Sequence, residues 1–457
     1  MVKNKAIGLA LSGLIGLAAI ACTAPVGSTT QAAGPSRSIG GLPSASAEDV
    51  GMSGQRLGRL AGAMEQLVDE RHLAGVTTAV ARHGKLAFFG TFGQRDIEAG
   101  APMSPDAIFR IYSMSKPIIG VALMILYEEG KFRLSDPVAK YIPEFANLQV
   151  AAGPRGTRVE KASHPITIRE LMTHTAGFTY GSMAGSAVEA MYLQKQVLAY
   201  DGTLRDMITR LAGIPLRQQP GTMWHYSAAV DVQGYLVEVL TGQTLDVFLK
   251  KRLFDPLNMV DTGFYVPKEK VHRLAQLYAY GAGGSLIPPS RFDEGMQIGG
   301  VEVRAEDVVQ RYLEPPTFLS GGGGLVSTVA DYLRFAQMLL NGGELDGIRI
   351  LSPLTVDLMR RNQLPRDVKE ISPGVGFGLD FAVIDDPVAA DGISRGEYFW
   401  SGGAGTWFWI DPVEDLVFVG MIQQFGEGRP DLRSLSRRLT YQAILTRRSD
   451  RSADSSQ

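Results

Sequence analysis

The sequence predicts an α+β fold: one antiparallel sheet, flanked by helices and assembled from both ends of the chain, with a mostly helical lobe inserted between the two halves. Two observations predict it. Runs with strand composition lie early, at Val76–Ala81 and Lys85–Gly90, and late, at Thr406–Ile410 and Leu416–Gln423. The stretch between them repeats its apolar residues at helical spacing.

Taken in order, Lys3 and Lys5 precede an uncharged apolar run from Ala6 to Ala21, too short and too rich in glycine and alanine for a membrane span. Residues 1–21 therefore read as an export signal. The run ends at Cys22, the only cysteine, which resembles the lipidated residue of a bacterial lipoprotein signal; ordinary cleavage after Ala19-Ile20-Ala21 is the alternative. The expected location is the periplasm or cell envelope, with membrane contact only through this anchor. One cysteine forms no intramolecular disulfide and no multi-cysteine metal site. Residues 22–48, mostly Ala, Ser, Gly, Pro and Thr, read as a flexible linker, 49–446 as the folded domain, and 447–457 as a polar, disordered tail.

Within the domain, Leu57, Leu60, Ala61, Met64, Leu67 and Val68 space as an amphipathic helix, and Arg82-His83-Gly84 turns a hairpin. Leu204, Met207, Ile208 and Leu211 form one helical stripe; Val232, Leu236, Val239 and Leu240 form another that stops at Gly242. Thr328-Val329-Ala330-Asp331 reads as a capping box opening a helix that ends at Asn341-Gly342-Gly343. Gly321–Gly324 reads as a close-packed turn, since no lysine follows it as a phosphate loop requires. Leu435, Leu439 and Ala443 mark a closing helix. Losing Lys3 and Lys5 with the signal takes the formal net charge from −2 to −4, with acids and bases mixed, so nothing here courts nucleic acid.

The chemistry starts at Tyr112-Ser113-Met114-Ser115-Lys116-Pro117. Serine and lysine three apart share a helix face, and a desolvated lysine can serve as the base a serine nucleophile needs. The apolar run Ile118–Leu126 makes this the start of a buried helix, where backbone N–H groups favour negative charge on the attacking oxygen. A second element, Trp224-His225-Tyr226-Ser227-Ala228, precedes a helix and can project Tyr226 into a cleft. In the third, Trp400-Ser401-Gly402-Gly403, glycines beside a strand allow close approach of a substrate to backbone N–H donors.

Three such elements in this order resemble the serine β-lactamase and penicillin-binding-protein-like superfamily, in particular its branch of class C β-lactamases, D-alanyl-D-alanine carboxypeptidases and family VIII esterases. The resemblance runs from about Ala47 to Leu445 and extends to Leu134–Val138, Ile168–Gly177 and Gly324–Thr328. It implies a β-lactamase/transpeptidase-like fold, Ser113 as the acylated nucleophile, Lys116 as its partner and Tyr226 as the tyrosine of Y-x-N. It implies an oxyanion hole from the N–H groups of Ser113 and Gly403, and sets Trp400-Ser401-Gly402 as substrate-binding residues where the family has K-T-G.

Two departures point away from lactamase chemistry. Ala228 replaces the asparagine of Y-x-N, and Trp400 replaces the lysine of K-T-G, removing the cation that helps bind a carboxylate. The expectation is a serine carboxylesterase acting on a small-molecule ester, with neither metal nor organic cofactor. A β-lactamase, a carboxypeptidase or an acyltransferase would use the same residues, and a non-catalytic surface lipoprotein is the remaining alternative. No G-x-S-x-G supplies a serine for a histidine triad. His225 is expected to be structural, because neighbours on the chain rarely point the same way, and His174 to be a satisfied turn or core histidine.

Overall fold

Eight strands order as β4-β5-β6-β7-β8-β1-β2-β3, every neighbouring pair antiparallel. They are β1 (Gly75–Arg82), β2 (Lys85–Asp96), β3 (Ala101–Pro102), β4 (Val375–Phe377), β5 (Ala382–Ile384), β6 (Tyr398–Ser401), β7 (Trp407–Asp411) and β8 (Leu416–Met421). The two halves of the chain meet at β1 and β8, in register from Thr77 opposite Met421 to Arg82 opposite Leu416. The computed structural model describes residues 38–447 apart from 154–155, 157, 182–184, 282–283, 292–296, 299–300, 303–309 and 427. The signal, Cys22 and the tail from 448 onward lie outside the described residues. Those described all fall in one unit, Gln31–Gln457.

The hairpin joining β1 to β2 turns at His83 and Gly84, with φ of 53° and 69°. Positive φ at both central residues matches the twist of the flanking strands. Both sheet faces are covered, so β8 is buried along its whole length. Its Leu416 and Phe418 point to the side of α1 (Gly54–Asp69), whereas Val417 and Val419 point to the helical lobe. Trp409 of β7 stacks on its cross-strand partner Phe418 at 4.0 Å.

The helical side is organised by α2 (Ser115–Glu128), buried at every position from Ser115 to Leu126. Such a helix has no solvent face to spare, which explains its unbroken apolar sequence. It packs against α4 (Ala229–Thr241), which is preceded by α3 (Leu204–Ala212) and ends at Gly242 with φ of 68°. Then α5 (Val329–Leu340) lies against β8, and α6 (Leu432–Tyr441) closes against α1.

Two expectations change. The capping box of α5 is only half formed: Thr328 Oγ1 accepts from the Asp331 N–H, but the Asp331 carboxylate accepts from the Asp261 N–H and the Thr262 hydroxyl. A long-range partner has taken the side chain. The end of the expected linker is also already packed. Leu42 is buried, Ala45 donates to the Leu86 carbonyl, and the Gly40 carbonyl accepts from Arg334. Small residues disguise this segment, because its order comes from backbone pairing with β2, not from side-chain periodicity.

Candidate active site

The chain reaches Ser113 through a single 3-10 turn, Tyr112–Met114, so the serine sits just ahead of α2 instead of within its first turn. Tyr112 enters that turn at φ of 43°, a conformation costly for an aromatic residue. Its ring is held edge-on by Tyr312 and Phe425, at 6.2 and 5.0 Å. This bend ends the short strand Phe109–Arg110 and leaves Ser113 half-buried while Lys116 is fully covered.

Two side chains converge on the serine. Lys116 Nζ donates to Ser113 Oγ at 3.1 Å and the Tyr226 hydroxyl donates to the same oxygen at 2.6 Å. The ammonium also donates to the Gly322 carbonyl at 2.5 Å and lies 4.6 Å above the Tyr226 ring and 5.3 Å above that of Tyr180. No carboxylate pairs with it among the described residues.

Sequence reasoning missed three contributors. The glycine run is not merely a turn, since Gly322 supplies the carbonyl that holds the lysine. A Cβ there would meet Asp231 Oδ2 at 2.5 Å and the Tyr180 hydroxyl at 2.9 Å, so only glycine fits. Asp231, buried on α4, accepts from the Gly322 N–H at 3.0 Å and the Ser320 hydroxyl at 2.5 Å, holding in place the residue whose carbonyl faces Lys116. Burial pushes its carboxyl above the ordinary value, opposed by these hydrogen bonds and by the charge of Lys116. Tyr180 adds a ring 5.3 Å from Tyr226, its phenol pushed well up by burial and then by Tyr226 and Asp231. A legible signal existed for Asp231 alone: a carboxylate in the otherwise apolar first turn of α4.

The third element reaches the site through its turn. Gly402 lies against the Ile111 carbonyl, which a Cβ would meet at 2.3 Å, and the Thr406 hydroxyl donates to that carbonyl at 3.2 Å. The Gly405 N–H closes the turn onto the Gly402 carbonyl. At its tip the Gly403 N–H donates to no acceptor among the described residues, while its carbonyl accepts from Arg429 at 3.0 Å. Ser401 is exposed at the end of β6. Trp400 packs 5.6 Å from Tyr226 and 5.5 Å from Phe377; its Nε1 is buried with no partner among the described residues, so the indole contributes a wall. Ala228 is fully buried, so this position faces packing and not a cleft.

Neither histidine reaches the serine oxygen. His225 turns its Nε2 to the Thr179 hydroxyl at 3.1 Å. His174 lies beneath Tyr226, ring centroids 5.0 Å apart, with Nδ1 against Ser227 Oγ. Its Nε2 is buried without a partner among the described residues, so this core histidine is only half satisfied. Burial, with the charges of Lys116 and His225, holds its pKa well below the usual imidazole range.

Known proteins resemble this chain in sequence and fold. A model of the Beta-lactamase family matches residues 60–442. An uncharacterized protein of Mycobacterium tuberculosis is 36% identical over 374 residues, covering 79% of this chain and 88% of its own. Esterase EstB of Burkholderia gladioli is 34% identical over 380 residues, covering 81% of this chain and 91% of its own. The solved structure of EstCE1, a hydrolase with promiscuous acyltransferase activity, superposes with a TM-score of 0.73 at 29% identity, covering 86% of this chain and 99% of its own. With the sheet, the inserted helical lobe and the serine-lysine-tyrosine cluster, these matches identify the chain as a member of the β-lactamase family, within the serine β-lactamase and penicillin-binding-protein-like superfamily.

Proposed function

We propose that this protein is a serine carboxylesterase that works through an acyl-enzyme on Ser113. One observation carries the reading: Ser113 Oγ receives hydrogen bonds from both Lys116 and Tyr226, while the wall beside Tyr226 is the uncharged Trp400. The esterase names of EstB and of the Penicillium rubens lovastatin esterase, 28% identical over 379 residues, support it.

In this reading the Lys116–Tyr226 pair reacts from the form that holds one proton fewer than an ammonium beside a phenol, and takes the Ser113 proton as Oγ attacks the ester carbonyl. The N–H groups of Ser113 and Gly403 hold the oxyanion. Collapse expels the alcohol, which receives the proton through Tyr226. Water then attacks the acyl-enzyme with Tyr226 as base, releasing the acid and restoring the Ser113 hydroxyl. No step calls on a metal or an organic cofactor. Intact-mass analysis after a fluorophosphonate, followed by peptide mapping, should find the adduct on Ser113, and Ser113→Ala should stay folded and lose p-nitrophenyl butyrate hydrolysis. An adduct on another serine, or an active alanine variant, would overturn the reading.

Transfer of the acyl group to an alcohol is a second reading, favoured by the activity stated for EstCE1. Ester formation from an added alcohol, relative to free acid, separates the two. The apolar run ending at Cys22 supports export and lipid anchoring at the cell envelope. Metabolic labelling with palmitate that fails to mark Cys22 would remove the anchor.

A further inference from the structure

A pocket of about 270 Å³ opens behind the glycine run, lined by Tyr200, Phe264 and Phe318 on its apolar side, by Ser320 and Gly324, and by the guanidinium of Arg311. One lining residue, Ser320, ties it to the catalytic cluster. Ser320 donates to Asp231, the carboxylate that holds Gly322, whose carbonyl faces Lys116. On the next residue, a Cβ at Gly323 would lie 3.6 Å from the Tyr112 carbonyl carbon, directly before the nucleophile.

Arg311 is the unexplained group here. Its guanidinium lies over the rings of Tyr200, Tyr312 and Tyr112, at 4.2, 4.5 and 5.9 Å, and donates to the Tyr312 hydroxyl. No carboxylate pairs with it among the described residues; Glu314, also on the pocket wall, pairs with Lys268 at 3.4 Å. Aromatic faces offset part of the cost of sheltering this cation, but a guanidinium has five N–H donors and a planar fork suited to a carboxylate. Mostly apolar walls, with a cation that no carboxylate pairs among the described residues, suit a methylene chain that ends in an anion.

We propose that this pocket receives the acyl part of the substrate and that Arg311 pairs with a carboxylate at its far end, which makes monoesters of short dicarboxylic acids the preferred substrates. The proposal rests on the esterase reading above. At about 30 Å³ for each water-sized group, the pocket holds on the order of nine such groups, room for a diacid of roughly four to six carbons. The Trp400 wall does not conflict with this charge preference. Trp400 packs on Tyr226 and Phe377, whereas Arg311 packs on Tyr112, Tyr200 and Tyr312.

The test compares p-nitrophenyl butyrate with the mono-p-nitrophenyl ester of glutaric acid on the wild type, Arg311→Gln and Arg311→Lys. Wild type should favour the glutarate monoester. In Arg311→Gln its kcat/KM should fall about ten- to a hundredfold, the range of one lost charge-assisted hydrogen bond, with butyrate little changed. Arg311→Lys keeps a cation and should fall between, and it serves as the test if the glutamine variant does not fold. Free glutarate, unlike butyrate, should raise the melting temperature of the wild type and lose that effect in Arg311→Gln. Equal loss on both esters, or a glutarate effect indifferent to Arg311, overturns the proposal. Hydrolysis of both esters, with the glutarate monoester showing no Arg311 dependence, removes the pocket assignment and leaves the esterase; Arg311-dependent stabilisation by glutarate without hydrolysis of either ester does the reverse.

Discussion

Replacing Tyr226 by phenylalanine removes one oxygen and almost nothing else. The ring sits between His174, Tyr180, Trp224 and Trp400, with centroids 5.0 to 6.2 Å away, and carries the Lys116 ammonium 4.6 Å above it. Phenylalanine keeps all of that packing. What disappears is the 2.6 Å hydrogen bond to Ser113 Oγ. A half-buried hydrogen bond contributes about 1 kcal/mol to stability, so melting should move by a few degrees at most. The catalytic effect is far larger, because the hydroxyl is the group proposed to move the proton in both half-reactions, and a positioned acid-base group contributes roughly 10² to 10⁴ in rate. The assay is kcat for p-nitrophenyl butyrate, with circular dichroism as the folding control and His225→Ala measured alongside. His225 faces Thr179, so its alanine variant should keep most of the activity. A Tyr226→Phe enzyme that turns over like wild type, with the loss appearing in His225→Ala instead, would refute the reasoning and return the proton to a histidine.

Trp400→Lys should narrow the preference for p-nitrophenyl butyrate over β-lactams from both directions. It removes the aromatic wall against Tyr226 and Phe377, and it offers a carboxylate a charge-assisted hydrogen bond of about 1.5 to 3 kcal/mol, roughly one to two decades in rate. Kinetics on p-nitrophenyl butyrate and nitrocefin decide it; an unmutated enzyme equally efficient on both would contradict the esterase reading. Away from the site, burial pushes the Glu397 carboxyl from 4.5 to about 7, helped by Asp411 and opposed by Arg437 and the Tyr441 hydroxyl. Because its folded value lies above its unfolded one, its contribution is complete below pH about 4.5 and is lost as pH rises through about 7. Stability should therefore decline across that window, by at most about 1.4 kcal/mol per pH unit from this group. Urea midpoints at pH 5 and 7.5 should show a smaller decline in Glu397→Gln, and an unchanged slope would exclude Glu397 as the source.

What the sequence determined by itself is what depends on near neighbours. Serine and lysine three apart, tyrosine just before a helix, and glycines beside a strand are local patterns, and the hairpin at His83-Gly84 and the apolar stripes of α1, α3 and α4 are equally local. The two-ended sheet was legible because strand composition clusters at both ends of the chain. The family resemblance then linked the three chemical elements, which spacing alone could not do. The partners of those elements were decided by the tertiary structure. The lysine's carbonyl comes from Gly322, 206 residues away, and the group holding that residue's N–H is a buried aspartate whose sequence signal is one acid in the apolar first turn of α4. Asp331 shows the same limit from the other side: the local capping pattern is present, yet its carboxylate is captured by Asp261 and Thr262, some seventy residues distant. Trp400 read as the loss of a cation, and packing buried its N–H donor as well. A hydrogen bond or a buried face costs chain entropy that only the whole fold repays, so its partner is chosen by where the backbone returns and not by spacing along it.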